Sequence, residues 1–314
     1  MPKQILVTGA AGFWGRFTCE YLVGLGETIE VTGTDIFKPD KVCCNKFVVT
    51  DMLCAEAVEN LVKQSMPDYV IHLAGTYGDE TAFDVYKVNV LSVIALLEAV
   101  RKYAPDAVVI IAGSAAEYGR IEPGQLPVDE QTLCSPVTHY GMSKKLASQV
   151  ALYYHDVYKI GTMVIRPFQL IGKGVTARLA PGAFAKRLQK AVVEGSKVIK
   201  VGNLDSSRDF LDVRDAVEAV WMLCRKPAGG EMFNLCSGKP TKIYDLLQEM
   251  IKCCGAPIKV EVDATLLRGQ ADVSVMYGSY QKIMNHCGWR PKISLSQSIQ
   301  AMFEGCIPKG IKKL

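Results

Sequence analysis

Residues 5–17 read ILVTGAAGFWGRF, an apolar run that breaks into three glycines, Gly9, Gly12 and Gly15, before a stretch with helical character. Glycine permits a tight turn and lets backbone N–H groups approach a pyrophosphate, which then sits at the positive end of the following helix. A loose glycine triplet carries little by itself, but placed straight after a first strand and opening a helix it fits a dinucleotide-binding loop. Phe13 and Trp14, inside that loop, belong to the same candidate cofactor surface. Asp35 closes the second strand twenty residues beyond Gly15, where a carboxylate can accept both ribose hydroxyls of an adenosine. A turn or cap role is its alternative. Asp51 ends the third strand, placed either to hydrogen-bond an adenine amino group, with Met52 alongside, or to cap the next helix.

Outward from this loop the first half alternates short apolar runs with amphipathic segments. Residues 3–8, 28–35, 46–51, 68–75, 106–114 and 161–167 are β-branched-rich runs flanked by turn residues and read as strands. Helical lengths fall at 12–25, 54–65, 84–103 and 139–159. Strands apolar on both faces and alternating with helices predict an α/β fold, a doubly wound parallel sheet of the Rossmann type. Beyond residue 167 the pattern is less regular: 179–195 and 241–255 read as helices, 197–202 and 232–238 as strands. These pieces suit a smaller α+β substrate-binding domain. Segments 84–103 and 139–159 are poor in charge and apolar on more than one face, which calls for a second partner, either a homodimer interface or a thicker core.

Bulk properties narrow the function classes. The 314 residues carry 36 basic and 32 acidic side chains, well mixed along the chain. The one basic cluster, Lys309, Lys312 and Lys313, is too short to argue for nucleic acid. No apolar window reaches the roughly 18 residues of a membrane span, and residues 1–12 enter a strand without the pattern of a signal peptide. Eleven cysteines, an odd count with no CxxC pair, read as free thiols in a reducing cytoplasm. His72 and His139 lack metal-ligand company, so no metal is expected.

Residues 139–144, HYGMSK, place a phenol and an ammonium four residues apart, so Tyr140 and Lys144 share one helix face. Of the thirteen tyrosines only Tyr140 is followed by lysine at that spacing. A solvated-face pair is the plain alternative to a proton donor with the cation that tunes it.

Gly9-x-x-Gly12-x-x-Gly15, HLAG at 72–75, Asn89, GSAAEYG at 113–119 and YGMSK at 140–144 together resemble the extended short-chain dehydrogenase/reductase superfamily. RPFQLIGKG (166–174), VGNLDSSRDFLDVRDAV (201–217), FNLCSGKP (233–240) and CGWRPKISL (287–295) resemble its nucleotide-sugar, NAD-dependent epimerase/dehydratase branch, and within it the GDP-6-deoxy-D-mannose reductase group. The resemblance implies a catalytic trio of Ser114, Tyr140 and Lys144. Cofactor contacts then extend to Leu73, Ala74 and Gly75, with Tyr140 and Lys144 meeting the cofactor as well. It implies that Lys144 favours the Tyr140 phenolate and holds the nicotinamide ribose, while Asn89 braces the active-site helix structurally or catalytically. Substrate contacts are expected at Ser114, at Gln169, where the family usually has Asn, and at Arg208 and Arg268, two candidate diphosphate clamps whose alternative is surface salt bridging.

The domain division expected is 1–166 plus about 211–236 for the dinucleotide, and about 167–210 plus 237–314 for the nucleotide sugar. The activity implied is NAD(P)H-dependent reduction of a 4-keto sugar nucleotide, with NAD(H) preferred, NADP(H) as the alternative, and a cytoplasmic homodimer as the working form. A nucleotide-sugar 4-epimerase and a non-catalytic dinucleotide sensor are the rival readings.

Overall fold

The computed structural model describes residues 2–26, 28–77, 81–266 and 273–304. Seven strands build the main sheet: β1 (Lys3–Thr8), β2 (Ile29–Asp35), β3 (Lys46–Val49), β4 (Tyr69–His72), β5 (Val108–Ala112), β6 (Gly161–Pro167) and, far along the chain, Met232–Leu235. Every pairing in it is parallel. Parallel strands need crossovers, and here helices supply them on both faces except between β2 and β3, which a loop joins.

The period of two explains the two-sided core. Ile5 and Val7 pack on one face with Cys19 and Leu22 of α1 (Phe13–Gly24). Leu6 between them packs on the other face, with Val58 and Leu61 of α2 (Ala55–Ser65). Each fully buried leucine, isoleucine or valine of this kind contributes about 1.5–3 kcal/mol by leaving water.

The segment expected as one helix over 84–103 is built from α3 (Ala82–Tyr86), a π-helical turn at Lys87–Leu91 and α4 (Ser92–Tyr103). Val85, Ser92 and Ala99 are buried, whereas Leu91 is half exposed. The long helix α5 (His139–Tyr158) starts behind Thr138, whose hydroxyl accepts from Gly141 N–H, and ends on Lys159 in the left-handed region.

Beyond β6 the remaining elements are β7 (Gln169–Ile171), α6 (Ala180–Glu194), β8 (Val198–Val201), β9 (Ser207–Asp212), α7 (Val213–Arg225), β10 (Met232–Leu235), β11 (Pro240–Lys242), α8 (Ile243–Cys254), β12 (Lys259–Val262), β13 (Val275–Met276), α9 (Gln281–Cys287) and α10 (Leu295–Phe303). The main sheet runs β10-β6-β5-β4-β1-β2-β3, so the chain leaves after β6 and returns through β10 to complete its edge. α7 also comes back, packing Ala216, Val220 and Leu223 into the core beside α1. The smaller part has its own core of α6, α8 and α10 residues around Phe210 of β9. No helix among the described residues is long and apolar enough to cross a membrane.

Candidate active site

β1, β4 and β5 are neighbours in the sheet, so their carboxyl ends open onto one rim. In open α/β sheets that rim is where ligands bind. Gly9 turns the chain at φ +69°. A Cβ on Gly15 would lie 2.0 Å from the Gly9 carbonyl oxygen, so the loop closes on itself only without a side chain there. The N–H groups of the first turn of α1, around Phe13, Trp14 and Gly15, have no partner within the helix, the arrangement that suits an anion. Asp35 lies against the same loop: Oδ2 accepts from Ala11 N–H at 3.1 Å and Oδ1 from Ile36 N–H at 2.8 Å.

Leu73 N–H donates to the Thr8 carbonyl at 3.3 Å and Ala74 N–H to Thr8 Oγ1 at 3.2 Å, tying the two loops together. His72 is buried beneath them, its Nδ1 2.8 Å from Thr8 Oγ1, and burial, with Lys144 nearby, pushes its pKa down to about 3. It is a neutral structural histidine. Asp51 is exposed and accepts from Leu53 N–H at 2.9 Å ahead of α2, while the Met52 side chain is buried in the core, leaving only its backbone for an adenine. A glycine cradle, free helix N–H groups and a rim carboxylate fit a dinucleotide.

Ser114 stands two residues beyond β5 and begins a single 3-10 turn, Ala115–Glu117. Its hydroxyl oxygen accepts from Ala116 N–H at 3.1 Å, and the hydroxyl is also hydrogen-bonded with Tyr140. Tyr140 lies beside it. Burial, and next the nearby Tyr77, push the Tyr140 phenol well above its usual range, while a hydrogen bond with Ser114 pulls the other way. Lys144 is also buried, donates from Nζ to the Ala112 carbonyl at 2.9 Å, and is pushed down to about 8 by burial against the opposing pull of Glu117. Lys144 is thus engaged by the Ala112 carbonyl, and burial favours the neutral form of the Tyr140 phenol.

Asn89 sits in the π-helical turn, a distortion frequent at functional sites. Its Oδ1 accepts from Thr76 N–H at 2.9 Å, and Nδ2 donates to the Thr76 carbonyl at 3.0 Å and to Ser143 Oγ at 2.9 Å. It therefore braces the loop carrying Gly75 against α5. Tyr77 was not singled out from sequence, yet its ring lies 5.4 Å from that of Tyr140, tilted by 32°. Only its place two residues past HLAG marked it.

The positions that follow Ser114 are Ala115 and Ala116, neither able to carry a proton. Glu117 turns inward and is fully buried. In the smaller part, Gln169 pairs with Phe210, two residues from Arg208, so both candidate substrate residues lie on one face of adjoining strands. The Arg208 guanidinium donates to the Ser207 carbonyl at 2.9 Å. Arg268 lies outside the described residues. Among the described residues no cluster of three or more His, Cys, Asp or Glu is placed to hold a metal ion, and the ten described cysteines are free.

Comparison with known proteins converges on this geometry. The chain is 27% identical over 308 residues to the GDP-6-deoxy-D-mannose reductase of Pseudomonas aeruginosa, covering 96% of each. It is 26% identical to the GDP-6-deoxy-D-talose 4-dehydrogenase of Aggregatibacter actinomycetemcomitans over 91% of each. Among solved structures it superposes on RMD from Pseudomonas aeruginosa complexed with NADPH, with a TM-score of 0.82 and 25% identity over 97% of this chain and 99% of that one. The model of the NAD dependent epimerase/dehydratase family matches residues 5–236, and the chain belongs to that family, a branch of the short-chain dehydrogenase/reductases.

Proposed function

We propose that the protein reduces the 4-keto group of a nucleotide-activated 6-deoxy-4-ketohexose, with GDP-4-dehydro-6-deoxy-D-mannose as substrate and GDP-D-rhamnose as product. The observation that carries this reading is the supply of proton carriers around Ser114. Ala115 and Ala116 carry none, and the Glu117 carboxylate is buried and taken up by Ser114 N–H, Ser148 and Arg166. Dehydration, or epimerisation beside the carbonyl, needs a second acid or base. Ketone reduction needs one proton, and Tyr140 supplies it.

The Ser114 hydroxyl turns to donate to the keto oxygen, and Tyr140 gives that oxygen its proton as the alkoxide forms. Lys144 carries the positive charge that steadies developing negative charge at this place. A bound reduced nicotinamide supplies the hydride. Residues 1–166 with about 211–236 hold the dinucleotide in this reading. Residues 167–210 with 237–314 hold the nucleotide sugar, through Gln169, Arg208 and Arg268. The exposed apolar side chains Leu91, Leu146, Tyr153 and Val157 along the π-helical turn and α5 support a homodimer.

The deciding experiment runs 4-keto-6-deoxy sugar nucleotides with reduced cofactor in deuterated water. One cofactor consumed per product, with carbons 3 and 5 free of enzyme-dependent deuterium, is the expected result. Enzyme-dependent exchange at either carbon contradicts the reading, and interconversion of UDP-glucose and UDP-galactose without added cofactor assigns a 4-epimerase instead.

Cofactor choice follows from Asp35. A carboxylate at the ribose edge accepts hydroxyl donors and repels a 2′-phosphate, so NADH is expected to be the better reductant. Asp35→Ala should move the ratio of kcat/KM for NADH over NADPH toward NADPH by roughly tenfold, about 1.4 kcal/mol. A wild-type preference for NADPH sinks the ribose role and points to Lys38, exposed three residues on, as the phosphate contact.

A further inference from the structure

Below Ser114 lies a buried ion pair that proton transfer does not use. Glu117 and Arg166 are almost completely enclosed, and Arg166 Nε donates to Glu117 Oε2 at 2.9 Å. The other carboxylate oxygen does different work. Oε1 accepts from Ser114 N–H at 2.8 Å and from Ser148 Oγ at 3.0 Å. Ser148 follows Tyr140 and Lys144 at steps of four, so all three side chains lie along one strip of α5. A single oxygen atom therefore joins the residue that carries the candidate substrate hydroxyl to the helix face that carries the candidate proton donor.

The surroundings are shaped for that contact. A Cβ at Gly113 would fall 2.3 Å from Glu117 Oε1, so the carboxylate reaches Ser114 N–H only because residue 113 has no side chain. On the far side Arg166 is held in turn: Nη1 donates to the Tyr118 hydroxyl at 3.4 Å, and that hydroxyl donates to Asn234 Oδ1 at 2.7 Å. Asn234 belongs to β10 and Arg166 to β6, so the clamp is anchored on the sheet edge completed late in the chain.

We propose that Glu117, fixed by Arg166, is the positioning residue that sets Ser114 against Tyr140 through the contact of Oε1 with Ser114 N–H and Ser148. The proposal rests on the reading of Ser114 as the hydroxyl that holds the keto oxygen. The reach of the acceptor, rather than its charge, is what the geometry requires.

Two variants separate reach from charge. Glu117→Asp keeps the charge pair but withdraws the carboxylate by one methylene from Ser114. Glu117→Gln combined with Arg166→Met removes both charges and keeps an acceptor of full length, without stranding a buried guanidinium. With reduced cofactor and a 4-keto-6-deoxy sugar nucleotide, Glu117→Asp should lose roughly 10²-fold in kcat with KM and cofactor affinity near wild type, the scale of a small misplacement. The double variant should recover most of that rate. In a Ser114→Ala background Glu117→Asp should cost little more, because its effect passes through Ser114. The opposite ranking of the two variants, or a full further loss in the Ser114→Ala background, overturns the proposal. If Ser114→Ala alone turns over normally, the reading of Ser114 fails instead, and that outcome is seen before any Glu117 variant is made.

Discussion

Tyr140→Phe is expected to bind cofactor and nucleotide sugar much as the wild type does, while kcat falls by roughly 10²–10⁴. The substitution deletes one oxygen and leaves the ring, whose packing beside Tyr77 at 5.4 Å does not depend on the hydroxyl. What is lost is the proton. Burial keeps that phenol protonated, and the neighbouring Glu117 carboxylate is already taken up by Ser114 N–H, Ser148 and Arg166. Water can replace the donor only partly in so enclosed a place, hence a large loss rather than a complete one. Single-turnover reduction monitored by cofactor absorbance, with binding measured separately, gives the two numbers. Near-normal turnover removes Tyr140 from the chemistry.

Arg166→Met carries the largest effect on stability. It strands the Glu117 carboxylate, fully buried, without its cation, and breaking a buried pair from one side costs about 3–5 kcal/mol. The carboxylate keeps Ser114 N–H and Ser148 as partners, which places the loss toward the lower end of that range. The companion change Glu117→Gln should restore most of the stability, since replacing both charges of a buried pair is often neutral. Denaturant midpoints for the single and double variants, read by circular dichroism, test this. A single variant as stable as wild type means that Glu117 takes a proton or finds water, and the pair is then no structural anchor.

Much of this was legible in the residues. Six strands and the helices between them follow from the alternation of apolar runs, because each strand buries both faces and each helix only one. The glycine loop and the Tyr140–Lys144 spacing are local, and local signals survive in a single sequence. The features that were not legible are those made by distant partners. Nothing near Lys144 announces that the Ala112 carbonyl, 32 positions away, takes its ammonium. Residues 84–103 read as one helix because the apolar spacing barely changes across the π-helical turn, although that turn places Asn89 between Thr76 and Ser143. The pairing of Glu117 with Arg166 was not legible, because a buried ion pair leaves no periodic trace.

The return of the chain through β10 also has a consequence for how the molecule is made. A ribosome delivers β6 well before β10, since α6, β8, β9 and α7 are synthesised between them. At roughly 5–20 residues per second that interval lasts several seconds. Throughout it the nascent sheet ends on β6, an apolar strand with one row of backbone groups unpaired, the kind of edge that recruits other chains. Arg166 on that strand waits equally long for the Tyr118–Asn234 contact to close above it. Translation pauses placed before Met232 should therefore lengthen a sticky stage of biogenesis, and pauses placed after Leu235 should not.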